Sequence, residues 1–171
     1  MDKRGNITYS QLASFSLIQG YDIDESGRAL KPGEKKQPFE PLTAGLRILP
    51  YSMISINAEA EWDHYKDDFT YADIAVKLGV QRKNGLKDIY RLDYVYNDTG
   101  NKGLGYYVNI NLAKGFSVGA NLRRDVDQGY NVEQSYWVDY GSKCWGIRLG
   151  MQQYDEESRV MLGFRLFGFS E

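Results

Sequence analysis

The feature that most constrains this chain is a period of two in its hydrophobic residues, which recurs along almost the whole sequence. Between Ala72 and Val80, for example, the even positions are apolar and the odd positions are polar or small. Successive side chains point to opposite faces of a β-strand, whereas a helix would need a period of about 3.6. The pattern therefore predicts an all-β chain whose strands each have one apolar face.

We predict about nine strands, joined in sequence as antiparallel hairpins. They are Ile7–Tyr21, Ala44–Trp62, Ala72–Val80, Tyr90–Tyr96, Leu104–Leu112, Phe116–Leu122, Val132–Tyr140, Trp145–Met151 and Val160–Phe169. Counted from one turn to the next, the candidate strands run to about 11–15 residues, whereas globular strands average about 5–6 and a tilted membrane-spanning strand needs about 9–11. Strand length therefore favours a chain that crosses a membrane with its strands.

Composition excludes some classes of function. A net charge of −2, from 21 basic and 23 acidic residues, gives no basic surface, so nucleic acid is not an expected partner. No stretch approaches the roughly 18 consecutive apolar residues of a transmembrane helix. The 14 tyrosines and 18 glycines suit the aromatic belts and tight turns of a membrane barrel. Residues 1–10 lack the apolar core of a secretory signal, so either a signal precedes this sequence or the chain stays in the cytoplasm.

The non-apolar positions have charged and amide side chains in the middle of the strands, as the wall of a water-filled lumen requires. The predicted lumen-facing residues are Asn57, Glu59, Glu61, Asp73, Lys77, Arg91, Asp93, Asn109, Asn111, Arg123, Glu133, Asp139, Arg148 and Arg165. On the apolar positions, charges such as Asp88 and Arg124 stand near strand ends, where their cost in lipid is smallest.

These observations together predict an antiparallel up-and-down transmembrane β-barrel sheet, with residues 1–171 as a single barrel domain. Two alternatives stay open. One is a small, self-contained porin-like or adhesin-like outer-membrane barrel, which an odd number of strands disfavours. The other is a soluble ligand-binding β-barrel, which the strand length disfavours.

Three turns can be predicted because paired residues must point to the same face. At Lys83-Asn84-Gly85, a three-residue loop with Gly85 in the left-handed conformation pairs Val80 with Asp88. A three-residue loop that ends at Gly115, Ala113-Lys114-Gly115, likewise pairs residues that point to the same face.

The second of these loops is expected to pair Leu112 with Phe116. At 142–143, the faces permit a two-residue loop that places Gly141 opposite Cys144, both pointing inward at the rim.

The side of the membrane follows from the strand count. If the C-terminus is periplasmic, turns 83–85, 113–115 and 142–143 are periplasmic as well, and these are the shortest turns, as this architecture requires. The long, proline-containing segment 22–41 then falls on the periplasmic side too, which is unusual. Either a strand has been missed near Pro50 or this loop is an exception.

The region around the single cysteine resembles a known family. The run VDYGSKCWGIRLGMQQ, followed by a loop and a final apolar strand, is similar to the C-terminal end of the lipopolysaccharide-assembly outer-membrane protein (LptD) family, whose members typically have a Tyr-(Asp)-Ser-Cys-Cys-Trp signature there. LIQGYDI and PLTAGLRILPYSMISINAEAEWD also resemble segments of that barrel. The resemblance extends from about Gln11 to Phe169, but Lys143 stands where the family has its first cysteine.

The resemblance implies a non-enzymatic, cofactor-free part of a bacterial outer-membrane translocon that delivers lipopolysaccharide to the outer leaflet. The implied barrel has about 26 strands, of which this chain supplies roughly the last third. Implied partners are lipopolysaccharide, membrane lipid, an LptE-like lipoprotein plug, the barrel-assembly machinery, and a periplasmic lipopolysaccharide-bridge protein that contacts an N-terminal domain not included here.

Two further expectations depend on this resemblance. Cys144 is implied to form a disulfide with the N-terminal domain, although a small, reduced rim cysteine is an equally plain interpretation of the residue itself. A segment of a larger barrel also leaves Ile7–Tyr21 and Val160–Phe169 each with a row of unpaired backbone groups on the outer side. We therefore expect an open, curved sheet whose last strand borders the family's lateral exit route.

Overall fold

The computed structural model describes residues 11–154 and 157–166 of the chain. In this part, ten antiparallel strands form one sheet whose spatial order follows the chain, from β1 to β10. The strands are β1 Ala13–Ile18, β2 Leu42–Tyr51, β3 Ile54–Asp63, β4 Asp68–Gln81, β5 Lys87–Asn97, β6 Asn101–Ala113, β7 Phe116–Asp125, β8 Asn131–Gly141, β9 Trp145–Tyr154 and β10 Glu157–Leu166. The predicted all-β, up-and-down architecture is confirmed, while the predicted strand ends at Ile7 and Phe169 lie outside the described residues.

The predicted strand Ala44–Trp62 is wrong, because it is two strands, β2 and β3, joined at Ser52 and Met53. The ladder between them shifts register between the pairs Ile48–Ile56 and Tyr51–Ile54, and this irregularity contains Pro50. A bulge tolerates proline because the bulged residue need not donate a hydrogen bond to the ladder. Apolar residues stay at even positions on both sides of the turn, so alternation alone does not reveal the reversal.

The extra strand also corrects the placement of the longest loop. Turns 52–53, 83–85, 114–115 and 143–144 lie at one end of the sheet, which we call the tight-turn end. Segments 19–41, 64–67, 98–100 and 126–130 lie at the other end, which we call the loop end. Segment 22–41 is therefore on the side opposite to the short turns, and the predicted exception disappears.

The loop-end segment 19–41 contains the short helix α1, Ile23–Gly27, whose N-cap is Asp22. The Asp22 carboxylate accepts a hydrogen bond from the Glu25 backbone N–H at 2.9 Å. The Arg28 guanidinium lies 2.7 Å from the Glu25 carboxylate, and this hydrogen bond lowers the pKa of Glu25. Local polar contacts therefore help to order this loop, beside an edge-to-face contact of the Tyr21 and Phe39 rings at 5.1 Å.

Two of the predicted turn glycines adopt the conformation expected of them. Gly85 has φ = 82° and Gly115 has φ = 79°, in the left-handed region that glycine tolerates best. Val80 pairs with Asp88 as predicted.

The pairing predicted at the next turn is wrong, since Phe116 pairs with Ala113 and the register shifts between Asn111 and Ala113. The observed loop has two residues in place of the predicted three, and the extra residue, Leu112, forms a bulge in β6.

The turn around the cysteine has a different register from the predicted one. Gly141 pairs with Gly146, and the Ser142 N–H donates to the Trp145 carbonyl at 2.8 Å, so the two-residue loop is Lys143-Cys144. Gly141 is therefore the last residue of β8 and not a turn residue. A shift of two residues leaves every side chain on its face, so alternation cannot separate the two registers.

The sheet is a single layer without a hydrophobic core. Among the described residues, Ala75, at 9% exposed, is the sole buried apolar side chain. Strands β1 and β10 end the sheet and do not pair with each other, so the sheet is open, as expected for its edges. The described part of the chain thus buries little apolar surface, although such burial is the dominant favourable term in folding.

Candidate functional site

The strand register places most of the apolar residues of the ten strands on one face, which we call the apolar band. Its large members include Phe15, Leu17, Leu42, Leu46, Ile48, Ile54, Ile56, Trp62, Ile74, Val76, Leu78, Val80, Tyr90, Leu92, Tyr94, Tyr96, Leu104, Tyr106, Val108, Ile110, Phe116, Val118, Leu122, Tyr136, Val138, Tyr140, Trp145, Ile147, Leu149, Met151, Val160, Leu162, Phe164 and Leu166. The alternation seen in the sequence thus becomes one continuous surface.

No second layer of the described chain covers this surface. Val76, on a central strand, is 37% exposed, and Leu162, on the edge strand β10, is 77% exposed. Soluble monomers rarely expose contiguous apolar patches larger than a few hundred Å². The apolar band therefore needs an apolar environment that the described residues do not supply.

The apolar band crosses the sheet obliquely. One row of directly paired residues runs through Ile54, Leu78, Tyr90, Val108, Ala120, Tyr136 and Met151. On β3 the row passes through Ile54, the last band residue before the tight-turn end. On β9, six strands away, the same row passes through Met151, the last band residue before the loop end. The band must therefore shift along the strands by about its own length.

This shift gives the tilt of the strands relative to the band. The band covers eight residue steps on β3, from Ile54 to Trp62, and six on β9, from Trp145 to Met151, which is about seven residues in six strand steps. With about 3.3 Å per residue and about 4.8 Å between strands, the tilt is roughly 39°. Strands of β-barrels tilt by about 35–45° from the barrel axis.

Aromatic side chains occupy both limits of the apolar band. At the tight-turn end, the Trp145 ring lies 5.8 Å from the Tyr140 ring and stacks on the Phe164 ring at 6.5 Å between centroids. At the loop end, the Trp62 and Phe69 rings meet edge to face at 4.8 Å. Aromatic belts at these positions are typical of strands that cross a membrane.

An ion pair between Arg82 and Asp88 lies at the tight-turn end of the apolar band. The Arg82 guanidinium lies 2.8 Å from the Asp88 carboxylate, which is 7% exposed. The same carboxylate accepts the Asn111 backbone N–H at 2.9 Å, beside the bulge in β6. Asp88 thus satisfies a backbone donor where the regular ladder between β5 and β6 has ended.

The opposite face carries the polar side chains, and we call it the polar face. The register places on it Asn57, Glu59, Glu61, Asp73, Lys77, Arg91, Asp93, Asn109, Asn111, Arg123, Glu133, Asp139, Arg148 and Arg165. These residues share a face but not one site, because they spread over β3 to β10.

A cross-strand ion network lies on β8, β9 and β10. Arg148 donates from Nε and Nη2 to the two carboxylate oxygens of Asp139, at 2.7 and 2.6 Å. Arg165 adds a third bond to Asp139 at 3.1 Å. Two-point arginine–carboxylate pairing is among the stronger polar contacts, so this network supports the observed register of the last three strands.

Beside this network lies a groove of about 810 Å³. The Arg148 guanidinium sits 5.2 Å from the Trp137 ring centroid, and Trp137 lies 5.5 Å from the Tyr107 ring. The indole Nε1 of Trp137 is buried without a partner among the described residues. Trp137 lies across Gly119, where a Cβ atom would collide with its ring.

Sequence reasoning did not identify the roles of Trp137 and Gly119. The available signal was weak, namely two aromatic residues at polar-face positions and a glycine inside a strand, which often marks the close approach of another group.

Glu133 is held by neutral donors. Its Oε1 accepts from Ser135 Oγ at 3.0 Å, from Gln152 Nε2 at 3.1 Å and from Asn121 Nδ2 at 3.5 Å. The carboxylate is thus engaged by amide and hydroxyl groups on three neighbouring strands.

Cys144 lies at the tip of its turn, exposed, and carries no disulfide in the described part of the chain. The neighbouring turn supports this one, because the Gly141 N–H donates to the Gly115 carbonyl at 2.7 Å. A thiol so placed is accessible to a partner from outside the sheet.

No protein-family model matches this chain, and no curated protein matches it significantly. Among the described residues, no helix is both long and apolar enough to cross a lipid bilayer.

Proposed function

We propose that this chain forms part of the wall of a bacterial outer-membrane β-barrel, with the apolar band against lipid and the polar face toward the lumen. The observation that carries this proposal is the uncovered, oblique apolar band. A membrane barrel needs such a band, because its strands are tilted while the lipid boundary stays perpendicular to the barrel axis.

The height of the band supports the same interpretation. About eight residue steps at about 3.3 Å each, on a strand tilted by roughly 39°, give a height of about 20 Å. Membrane barrels have an apolar zone about 25 Å tall, flanked by aromatic belts. Trp62 and Phe69 at one limit, with Tyr140, Trp145 and Phe164 at the other, would supply these belts.

We further propose that this wall serves lipopolysaccharide transport to the outer leaflet, without chemistry of its own. The support is the resemblance of the Cys144-Trp145 turn and its flanking strands to the lipopolysaccharide-assembly family. Under this proposal, the polar face would border a lipoprotein plug, and Cys144 would join the barrel to a periplasmic domain that meets the lipopolysaccharide bridge.

Depletion of the chain in its own bacterium tests the choice of cargo. We expect lipopolysaccharide to disappear from the cell surface, as measured by labelling of intact cells with a reagent that cannot cross the outer membrane. A copy of the gene supplied in trans should restore the labelling. Unchanged surface lipopolysaccharide after complete loss of the protein would refute the cargo while leaving the membrane placement intact.

The cysteine offers a separate test. In the full protein, Cys144→Ser should abolish a mobility difference between reduced and non-reduced samples, because disulfides persist in the oxidising periplasm. Lys143→Ser, on the same turn, is the matched control and should leave the difference unchanged. Identical migration of the wild type and Cys144→Ser without reductant would reduce Cys144 to a plain rim residue.

A further inference from the structure

A second pocket on the polar face, which shares Tyr107 and Asn121 with the groove beside Trp137, has an unbalanced charge. It holds about 310 Å³ and lies over the strands β4 to β7. Its lining consists of Lys77, Ile89, Arg91, Asp93, Tyr107, Asn121 and Arg123. Three cationic side chains therefore face a single carboxylate.

Two of the cations stand directly opposite each other. Lys77 on β4 pairs with Arg91 on β5 in the ladder, so both side chains leave the sheet at the same level and on the same face. Like charges in directly opposed positions destabilise a sheet. Arg91 is paired with Asp93, but among the described residues no carboxylate lies within 4.0 Å of the Lys77 ammonium group, so Lys77 has no ion-pair partner there.

The third cation lacks the partner that its position offers. Arg123 stands directly opposite Glu133 in the ladder between β7 and β8. However, Glu133 accepts hydrogen bonds from Ser135, Gln152 and Asn121, and the described structure contains no Arg123–Glu133 ion pair. The guanidinium of Arg123 thus keeps its donors for another acceptor.

The one acid in the lining is already engaged. Asp93 lies 3.1 Å from Arg91 and is 8% exposed. Its carboxylate packs against Gly105, where a Cβ atom would collide with it. Asp93 therefore holds Arg91 in place and neutralises one of three cations, which leaves the pocket with an excess of positive charge.

We propose that this pocket binds a small dianion with the chemistry of a phosphate monoester. Guanidinium groups match phosphate oxygens in two-point geometry, and an ammonium group adds a compact charge. Tyr107 contributes a hydroxyl donor, and the Asn121 amide, which already donates one N–H to Glu133, has a second N–H to offer. The bound anion would reduce the electrostatic repulsion between Lys77 and Arg91. It would also accept hydrogen bonds from the Arg123 guanidinium. This inference does not depend on the membrane placement or on the cargo proposed above.

Binding of inorganic phosphate to the full chain in zwitterionic detergent micelles tests the proposal. Broadening of the ³¹P resonance with added protein reports binding per chain, whatever the oligomeric state. We expect saturable binding that Arg123→Gln and Lys77→Gln each weaken by about tenfold or more, the loss expected for one charge-assisted hydrogen bond. Arg123→Lys should weaken it less, since the charge remains.

Arg47→Gln is the matched control, because Arg47 is a cation of the polar face on β2, outside the pocket lining. It should bind phosphate as the wild type does. Far-ultraviolet circular dichroism of each variant verifies that the sheet has formed. Absence of saturable broadening with the folded wild type, or equal losses in Arg47→Gln and Arg123→Gln, would overturn the proposal.

Competition distinguishes two sources of the same chemistry. Glycerol 3-phosphate and lysophosphatidic acid carry the same headgroup, but only the second carries an acyl chain. Equal displacement of inorganic phosphate indicates a soluble phosphate ester, whereas stronger displacement by the lipid indicates a lipid headgroup. Failure of both to displace phosphate would argue against a monoester site.

Discussion

Arginine at Val76 or Ile110 should destabilise the folded chain in lipid vesicles by about 2–4 kcal/mol, whereas arginine at Asn109 should cost far less. Val76 and Ile110 belong to the apolar band on β4 and β6, where an arginine would face the hydrocarbon layer. Asn109 neighbours Ile110 in the chain but points to the polar face, so it controls for the effect of arginine on β6 itself.

Urea titrations of the chain refolded into phosphatidylcholine vesicles would measure these differences. Equal tolerance of arginine at Ile110 and Asn109 would exclude a lipid-facing apolar band. The measurement must be made in vesicles and not in buffer without lipid, because the quantity under test is the free energy of placing a charge in the bilayer.

The second large effect concerns the open edges of the sheet. The isolated chain should form oligomers or aggregates in detergent, because β1 and β10 each present unpaired backbone groups, and each such group costs several kcal/mol in lipid. On β10 several apolar side chains are also highly exposed, with Leu162 at 77% and Leu166 at 76%.

Light scattering coupled to size-exclusion chromatography measures the mass of the protein in the detergent complex. Hydrogen exchange would then compare the backbone amides of β10 with those of the central strand β5, which pairs on both sides. A monodisperse monomer whose β1 and β10 amides exchange as slowly as those of β5 would contradict the prediction. It would favour a small, self-contained barrel instead.

The faces of the strands were predictable because period-two alternation is a local property. It assigned side chains such as Val76 and Lys77 to opposite faces before any pairing was known. The left-handed glycines were predictable for the same reason, since the requirement for matching faces across the turn at Gly85 leaves few loop lengths.

Alternation failed where two arrangements keep the same faces. The reversal near Pro50 leaves apolar residues at even positions on both sides. The register at Cys144 is ambiguous by two residues, and two residues is the period itself. In both places, backbone hydrogen bonding decides the outcome, and hydrophobicity contains no information about it.

The candidate sites were predictable only in part. Lys77, Arg91 and Arg123 were each assigned to the polar face, and the predicted turn at Gly85 already implied that Lys77 would oppose Arg91. The isolation of Arg123 was not predictable, because it depends on the three neutral donors that engage Glu133 from separate strands.

The oblique apolar band has a consequence for how such a sheet finds its register. A slip of two residues between neighbouring strands leaves every side chain on its original face. In a soluble protein, the two registers would therefore expose the same polar residues to water and bury the same apolar ones in a core. In a bilayer, the same slip would displace one part of the apolar band by about 7 Å along the strand. Apolar side chains would then enter the headgroup region on one side while polar ones, such as Gln134 and Gln153, would enter hydrocarbon on the other. The thickness of the membrane would thus act as a gauge that selects one strand alignment among those that alternation leaves equivalent.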